Sequence, residues 1–166
     1  RPLKDSVKES IFNVIAHSNF LNTKVEKSNI LDLYSGIGSF GLESLSRGAH
    51  SVTFVEKDLV ATKILKHNLI TLSVEKNADV EIDKIENFLK RILLQKYDLI
   101  FLDPPFAEDT FLKELKLIKD KKIYKKNHTI VIHRERKNNE DFKDILNPLV
   151  IKNYGRSKII FGKFLD

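Results

Sequence analysis

A glycine-punctuated stretch from Asn29 to Ala49 constrains this chain more than any other. It opens on a short apolar run, Ile30 to Tyr34, with the signature of a buried strand. The run breaks into Gly36-x-Gly38-x-x-Gly41, and Leu42 to Arg47 continues with helical character. Strand, glycine loop and helix in that order bring backbone close to an adenosine-type cofactor, because glycine has no Cβ in the way. Alone, the pattern fits a tight strand–helix turn without a ligand equally well. Two later strand ends sharpen it. Ser51 to Val55 is a second apolar run and ends in Glu56, twenty residues after Gly36, where a carboxylate can take two ribose hydroxyls. Tyr97 to Leu102 is a third run and ends in Asp103-Pro104-Pro105-Phe106. Open α/β sheets bind ligands outside the carboxyl ends of their strands, so all three features are expected along one edge.

This arrangement resembles the class I S-adenosylmethionine-dependent methyltransferases, and the Asp-Pro-Pro-Phe form resembles those that methylate exocyclic or amide nitrogens. The start of the chain narrows the resemblance. Arg1-Pro2, followed by Asp5-Ser6-Val7-Lys8-Glu9-Ser10-Ile11-Phe12-Asn13, looks like the entry helix of the bacterial 16S rRNA guanine-N2 methyltransferase family. There the segment precedes a Leu-Asp-Leu-Tyr/Phe-x-Gly-x-Gly loop, a Gly-Leu-Glu-x-Leu-Ser-Arg-Gly-Ala helix and a Phe-x-Asp-Pro-Pro-Phe strand end. The similarity is good through Phe106 and holds only in outline beyond it.

The resemblance implies a Rossmann-like α/β fold: a seven-stranded, mostly parallel sheet with helices on both faces and one antiparallel strand from a C-terminal hairpin. Residues 1–166 would form one methyltransferase domain. S-adenosylmethionine would be held by Asp32, Ser35, Gly36, Gly38, Gly41, Glu56, Lys57, Asp83 and Asp103. Arg1, Pro2 and Lys4 would border the cofactor or the RNA. Asp32 either orients the glycine loop or the methionine end of the cofactor, or is a satisfied structural carboxylate. The family has a polar adenine contact near Asp83; alignment through Phe88-Leu89 puts Lys84 at that place. Asp103, Pro104 and Phe106 would form the catalytic turn, with 16S rRNA, free or within a small-subunit particle, as partner. The exocyclic N2 of guanine is a poor nucleophile, since its lone pair is delocalised into the ring. A carboxylate and a proline-aimed carbonyl accepting its N–H groups help that lone pair turn outward. An aromatic ring can stack a base drawn out of its helix.

Bulk properties agree. A chain of 166 residues with 42% hydrophobic and 31% charged side chains suits one globular domain with a real core. No apolar run reaches the roughly 20 residues that span a bilayer, and no secretory pattern opens the chain. Cysteine is absent, which removes disulfides and thiolate metal sites; no metal is expected, and the cytoplasm fits. Methionine is absent too, so the chain is expected to start inside a longer natural one, after a basic segment that the family carries. The net charge of +6 suits an anionic partner such as RNA. It also suits compositional bias, because only six of the 29 basic residues are arginine. From Lys113 to Lys137 ten basic residues face three acidic ones, either a phosphate-tracking patch around Lys121, Lys122, Lys125 and Lys126 or a solvated helix face.

Along the chain, Ser6-x-x-Glu9 reads as a capping box ahead of a helix burying Val7, Ile11, Phe12 and Ile15. Asp58 to Leu72 is a helix with Leu59, Ile64, Leu65, Leu69 and Leu72 facing inward, and Ile85 to Leu94 is another. Glu108 to Ile118 is helical, Thr129 to His133 is a strand, and Leu149 to Tyr154 with Lys158 to Phe164 is the closing hairpin. His133 either lines the pocket or is structural. A nicotinamide-dependent dehydrogenase would share the glycine loop and Glu56 but gives no role to the Asp-Pro-Pro-Phe turn. Methyltransferases acting on DNA adenine or protein glutamine, and an RNA-binding module on a degenerate catalytic fold, are the other readings.

Overall fold

The computed structural model describes residues 3–108 and 110–166. Arg1 and Pro2, expected to border the site, lie outside the described residues. Seven strands form one sheet: β1 (Asn29–Leu33), β2 (Ser51–Glu56), β3 (Ala78–Ile82), β4 (Tyr97–Leu102), β5 (Tyr124–Glu135), β6 (Leu146–Tyr154) and β7 (Ser157–Phe164). Their order is β3-β2-β1-β4-β5-β7-β6. The pairs β1–β2, β2–β3, β1–β4 and β4–β5 are parallel, while β7 runs antiparallel to both β5 and β6. Chain order reverses between β1 and β4. The carboxyl ends of these two neighbours therefore open a crevice, the place where such sheets take ligands.

Residue alternation along the strands sorts the core into two layers. Ile30, Val52, Phe54, Phe101 and Val131 face α1 (Asp5–His17), α2 (Ser39–Ser46) and α3 (Leu59–Thr71). Leu31, Leu33, Val55, Ile100 and Ile132 face α4 (Ile85–Leu89) and α5 (Phe111–Lys121). Side chains of a strand alternate between faces, which puts Asp32 on the α2 side, between Leu31 and Leu33. Three rings tie the first layer together. Phe12 stacks on Phe40 at 5.1 Å, and Phe40 on Phe101 at 4.2 Å.

Several local readings are corrected. α1 starts at Asp5 with Lys4 at its N-cap and no side-chain cap, so Ser6 is already inside the helix and the capping box is not formed. Its buried face is Val7, Ile11, Phe12 and Ile15, as the spacing predicts. In α3 only Leu65 and Leu69 of the expected apolar face are buried, joined by Thr62; Leu59, Ile64 and Leu72 are exposed. Asp58 caps it, accepting from the N–H groups of Val60 and Ala61. α4 stops at Leu89, and Ile92 and Leu94 stand in solvent. β5 begins at Tyr124 rather than at the expected Thr129, so that Lys125 and Lys126 lie within the strand. Among the described residues no helix is long and apolar enough to cross a membrane.

Candidate active site

The glycine unit folds as a loop between β1 and α2, and its three glycines do three different things. Gly36 sits at φ +56°, and a Cβ there would meet nothing within 4 Å. It faces the cleft, as a close approach by a ligand requires. Gly38 and Gly41 face the protein instead. A Cβ on Gly38 would lie 2.3 Å from Leu65 Cδ1, and one on Gly41 would lie 2.2 Å from Phe54 Cε1. These two glycines set helix packing, and only Gly36 offers open backbone.

Two carboxylates hold the loop in shape. Glu56, at the end of β2, accepts from the Gly36 N–H at 2.9 Å and the Asp58 N–H at 3.0 Å. Asp32 accepts from the Gly41 N–H at 3.1 Å, within the first turn of α2, where a negative charge is favoured. Burial pushes the Asp32 carboxyl well above its ordinary range; the Gly41 bond opposes this, and the charges of Asp103 and Glu56 reinforce it. Beside them the Ser35 hydroxyl is buried without a hydrogen-bond partner among the described residues.

The cleft along the strand ends has two parts that share Tyr34. One is lined by Leu3, Asp32, Ser35, Gly36, Ser39 and Asp103. The other is lined by Glu56, Lys57, Asp83, Lys84, Ile85 and Glu114, and Tyr34 stands between them. Asp83 is on the wall, but its carboxylate is engaged by Arg91 at 2.8 Å, by Asn87 and by the Lys84 N–H. The Arg91 bond chiefly holds its pKa below the ordinary value. Tyr34, at φ 60°, turns its hydroxyl to Glu114 and donates to both carboxylate oxygens at 2.5 and 2.7 Å.

Burial, with the nearby charges of Glu108 and Glu86, pushes Glu114 up to about 7 from an ordinary 4.5, against the Tyr34 bond. An acid that holds its proton more tightly when folded stabilises the fold below about pH 4.5 and loses that contribution as pH rises through about 7. Glu114→Gln keeps an acceptor for Tyr34 and removes the titration. It is expected to be more stable than the parent at pH 8, by about 1–2 kcal/mol after allowance for solvent near the pair, and to match it near pH 5. Thermal melts at both pH values check this; equal pH slopes in the two proteins would contradict it.

The Asp-Pro-Pro-Phe turn is fixed on two sides. Asp103 donates its N–H to the Leu33 carbonyl at 3.3 Å, binding β4 to the end of β1. Its carboxylate meets His133 Nδ1 at 2.9 Å, and His133 Nε2 meets the Ser157 hydroxyl at 2.8 Å. The Phe106 ring stands edge-on to His133 at 5.2 Å. Behind the turn, buried Arg134 donates to the carbonyls of Pro105, Phe106 and Glu108 at 3.3, 3.2 and 3.1 Å. Arg134 also pairs with Glu140 at 3.2 Å and covers the Phe111 ring at 4.3 Å. The sequence counted Arg134 with the surface cations, whereas the fold makes it an internal clamp. The signal that finds these contacts is pairing: Leu102 lies opposite Ile132, so the residues that follow, Asp103 and His133, emerge side by side.

The lysine-rich stretch divides between opposite edges of the sheet. Lys121 to Lys126 lie where β5 starts, beside Tyr97, with Lys121 donating to the Arg91 carbonyl and Lys125 paired with Asp98. At about 3.3 Å per residue, β4 puts them roughly 20 Å from the Asp103 edge. Arg136, Lys137 and Arg156 instead line a groove with Glu135 and Gly155 at the carboxyl end of β5. No group of acidic or histidine side chains that could hold a metal occurs among the described residues.

Sheet order, the antiparallel β7 and the crevice at the β1–β4 reversal define a class I S-adenosylmethionine-dependent methyltransferase fold. The chain belongs to the conserved hypothetical protein 95 family, whose model matches residues 1–163. This bears out the family resemblance read from the sequence. It is 36% identical over 138 residues to the putative rRNA methyltransferase YlbH of Bacillus subtilis, covering 82% of this chain and 72% of that protein. It is 36% identical, again over 138 residues, to the ribosomal RNA small subunit methyltransferase D of Haemophilus influenzae, covering 82% and 68%. Among solved structures, a putative methyltransferase from Escherichia coli superposes with a TM-score of 0.85 at 26% identity, covering 99% and 87%. A putative methylase from Haemophilus influenzae gives 0.80 at 31% identity, covering 98% of each chain.

Proposed function

We infer that this protein is an rRNA methyltransferase that moves a methyl group from S-adenosylmethionine to the exocyclic N2 of a guanosine in small-subunit rRNA. Residues 1–166 act as its methyltransferase domain. One observation carries the reading: Asp103, braced by His133 and followed by Pro104 and Phe106, stands on the same sheet edge as the Gly36–Glu56 cleft. The residues of that cleft fit the cofactor. Gly36 leaves open space above its backbone, and Ser35 presents the hydroxyl left unpartnered among the described residues. Glu56 and Asp103 supply carboxylates for an ammonium and a sulfonium, and buried Asp32 holds the glycine loop that meets them. Glu56 takes the ribose hydroxyls while keeping the Gly36 N–H, since a carboxylate has about four acceptor positions. Lys57, Lys84 and Ile85 border the adenine end, and Asp83 acts there through its backbone because its carboxylate is already paired.

The cofactor supplies an electrophilic methyl on a positively charged sulfur. Asp103 accepts an N–H of the guanine amine, and the Pro104 carbonyl accepts the other, so that the nitrogen lone pair is directed at the cleft. As the N–C bond forms, the bond between the methyl and the sulfonium sulfur breaks, the sulfur would leave as a neutral thioether, and the nitrogen's excess proton passes to Asp103. Phe106 stacks the base, worth about 1–3 kcal/mol, and alignment of the bound pair accounts for much of the remaining rate. Incubating labelled cofactor in parallel with small-subunit rRNA, assembled small subunits, DNA and protein tests the substrate class. Label is expected in the rRNA-containing samples, and label confined to DNA or protein would overturn the reading.

RNA phosphates are held at the catalytic edge, by Arg136, Lys137 and Arg156, rather than by Lys121 to Lys126. Replacing those three with glutamine is expected to weaken rRNA binding and lower the salt slope by about 1 for each phosphate no longer neutralised. The Lys121/Lys122/Lys125/Lys126 quadruple variant is expected to change both less. Filter binding across a salt series checks this; the opposite ranking would place the RNA on the far edge.

A further inference from the structure

The geometry points to His133 as a positioning residue: in its Nδ1–H tautomer, set by Ser157, it holds Asp103 as the amine's acceptor. The proposal rests on the reading of Asp103 given above. His133 is 3% exposed and stands at the end of β5, one strand over from the reacting edge. Its two ring nitrogens are engaged by two different elements, Asp103 Oδ1 after β4 at 2.9 Å and Ser157 Oγ at the start of β7 at 2.8 Å.

A neutral imidazole has one donor and one acceptor nitrogen, and an ionised carboxylate only accepts. Nδ1 must therefore carry the proton toward Asp103, and Nε2 must accept from the Ser157 hydroxyl, which can rotate to donate. Ser157 thus chooses the tautomer, in the way a bond to one ring nitrogen fixes the other. Two consequences follow for Asp103. Its carboxylate plane is fixed by a bond from a side chain that cannot itself turn, because Ser157 pins the far nitrogen. The imidazole also donates to the carboxylate rather than competing with it for the amine's N–H groups. With about four acceptor positions, the carboxylate can take the amine's N–H beside the imidazole and, after transfer, the proton.

The edge-on contact of Phe106 at 5.2 Å uses the same ring, so one imidazole sets both the acceptor and the stacking surface. Any buried imidazole needs partners for its nitrogens; what marks this one is that one of them is the carboxylate at the reacting edge. The antiparallel β7 is what delivers that hydroxyl: Glu135 pairs with Ser157 and His133 with Ile159, which brings the start of β7 beside the ring.

The test has two arms. Nitrogen-15 NMR of the ligand-free protein at neutral pH is expected to show His133 protonated on Nδ1 and not on Nε2, and Ser157→Ala is expected to mix the tautomers. This arm needs no substrate, so it stands or falls apart from the assignment of the reaction. In single-turnover assays, His133→Phe is expected to lower the methyl-transfer rate by about 10- to 100-fold, the scale for loss of an outer-sphere partner, with cofactor and RNA affinities within about 2-fold of the parent. His133→Asn places an amide N–H near the Nδ1 position and is expected to recover most of that rate. An Nε2–H tautomer in the parent protein overturns the proposal. So does a His133→Phe protein as fast as the parent, or a His133→Asn protein as slow as His133→Phe.

Discussion

Replacing Asp103 with alanine is expected to lower methyl transfer roughly 100-fold or more, the scale on which a positioned polar group at a reacting centre acts. The substitution leaves the amine without its acceptor and His133 without its carboxylate. Cofactor affinity is expected to fall far less than the rate, because Gly36, Ser35 and Glu56 are untouched. Stability falls by about 1–3 kcal/mol, the cost of removing one acceptor from the buried His133 ring. Asp103→Asn does less damage, since its carbonyl still accepts an N–H, but it lacks the charge that stabilises a cationic nitrogen. Single-turnover rates with saturating cofactor, read beside melting curves, separate chemistry from folding. Full activity in Asp103→Ala would reduce the turn to a structural strand end.

The second large effect is on stability and falls on Arg134. Its guanidinium donates to three carbonyls of the catalytic turn and pairs with Glu140, all in a setting 3% exposed to solvent. Arg134→Ala strands the Glu140 carboxylate with Lys158 as its remaining cation and leaves the three carbonyls without these donors. Breaking such a buried pair costs about 3–5 kcal/mol, which corresponds to a melting temperature lower by roughly 10 °C in a chain of this size. The surviving folded protein is expected to bind cofactor normally and to methylate slowly, because Phe106 and Asp103 are no longer held. Arg134→Lys keeps the charge but not the planar fork of donors, so it falls between the two. A melting temperature for Arg134→Ala within a degree of the parent would show that the turn supports itself.

These two residues mark the boundary of what the sequence discloses. The glycine unit, the acidic end of β2 and the Asp-Pro-Pro-Phe end of β4 are local patterns, written in residues a few positions apart. They mark three strand ends expected along one sheet edge, and the crevice opens there. Asp103 is legible for that reason. Its support is not, because His133 and Ser157 lie 30 and 54 positions further on and meet it only through strand pairing. Arg134 reads as one more cation in a basic run until β5 turns its side chain inward. The same gap explains smaller misses. Leu59, Ile64 and Leu72 have helical spacing, but α3 borders the sheet with a narrow stripe, so tertiary context leaves them in water. The glycines show the reverse case: their spacing suggests three ligand contacts, and the packing of Leu65 and Phe54 assigns two of them to the fold.

The identity of the methylated atom tests the assignment most directly. Small-subunit rRNA carried through one reaction with isotopically labelled cofactor is digested to nucleosides and separated by mass spectrometry. The acceptors at Asp103 and Pro104 suit an exocyclic amine, and with the proposed guanosine target the expected result is a single labelled product, N2-methylguanosine, lost in Asp103→Ala. Label on adenine N6, on a ring nitrogen or on the ribose would contradict it.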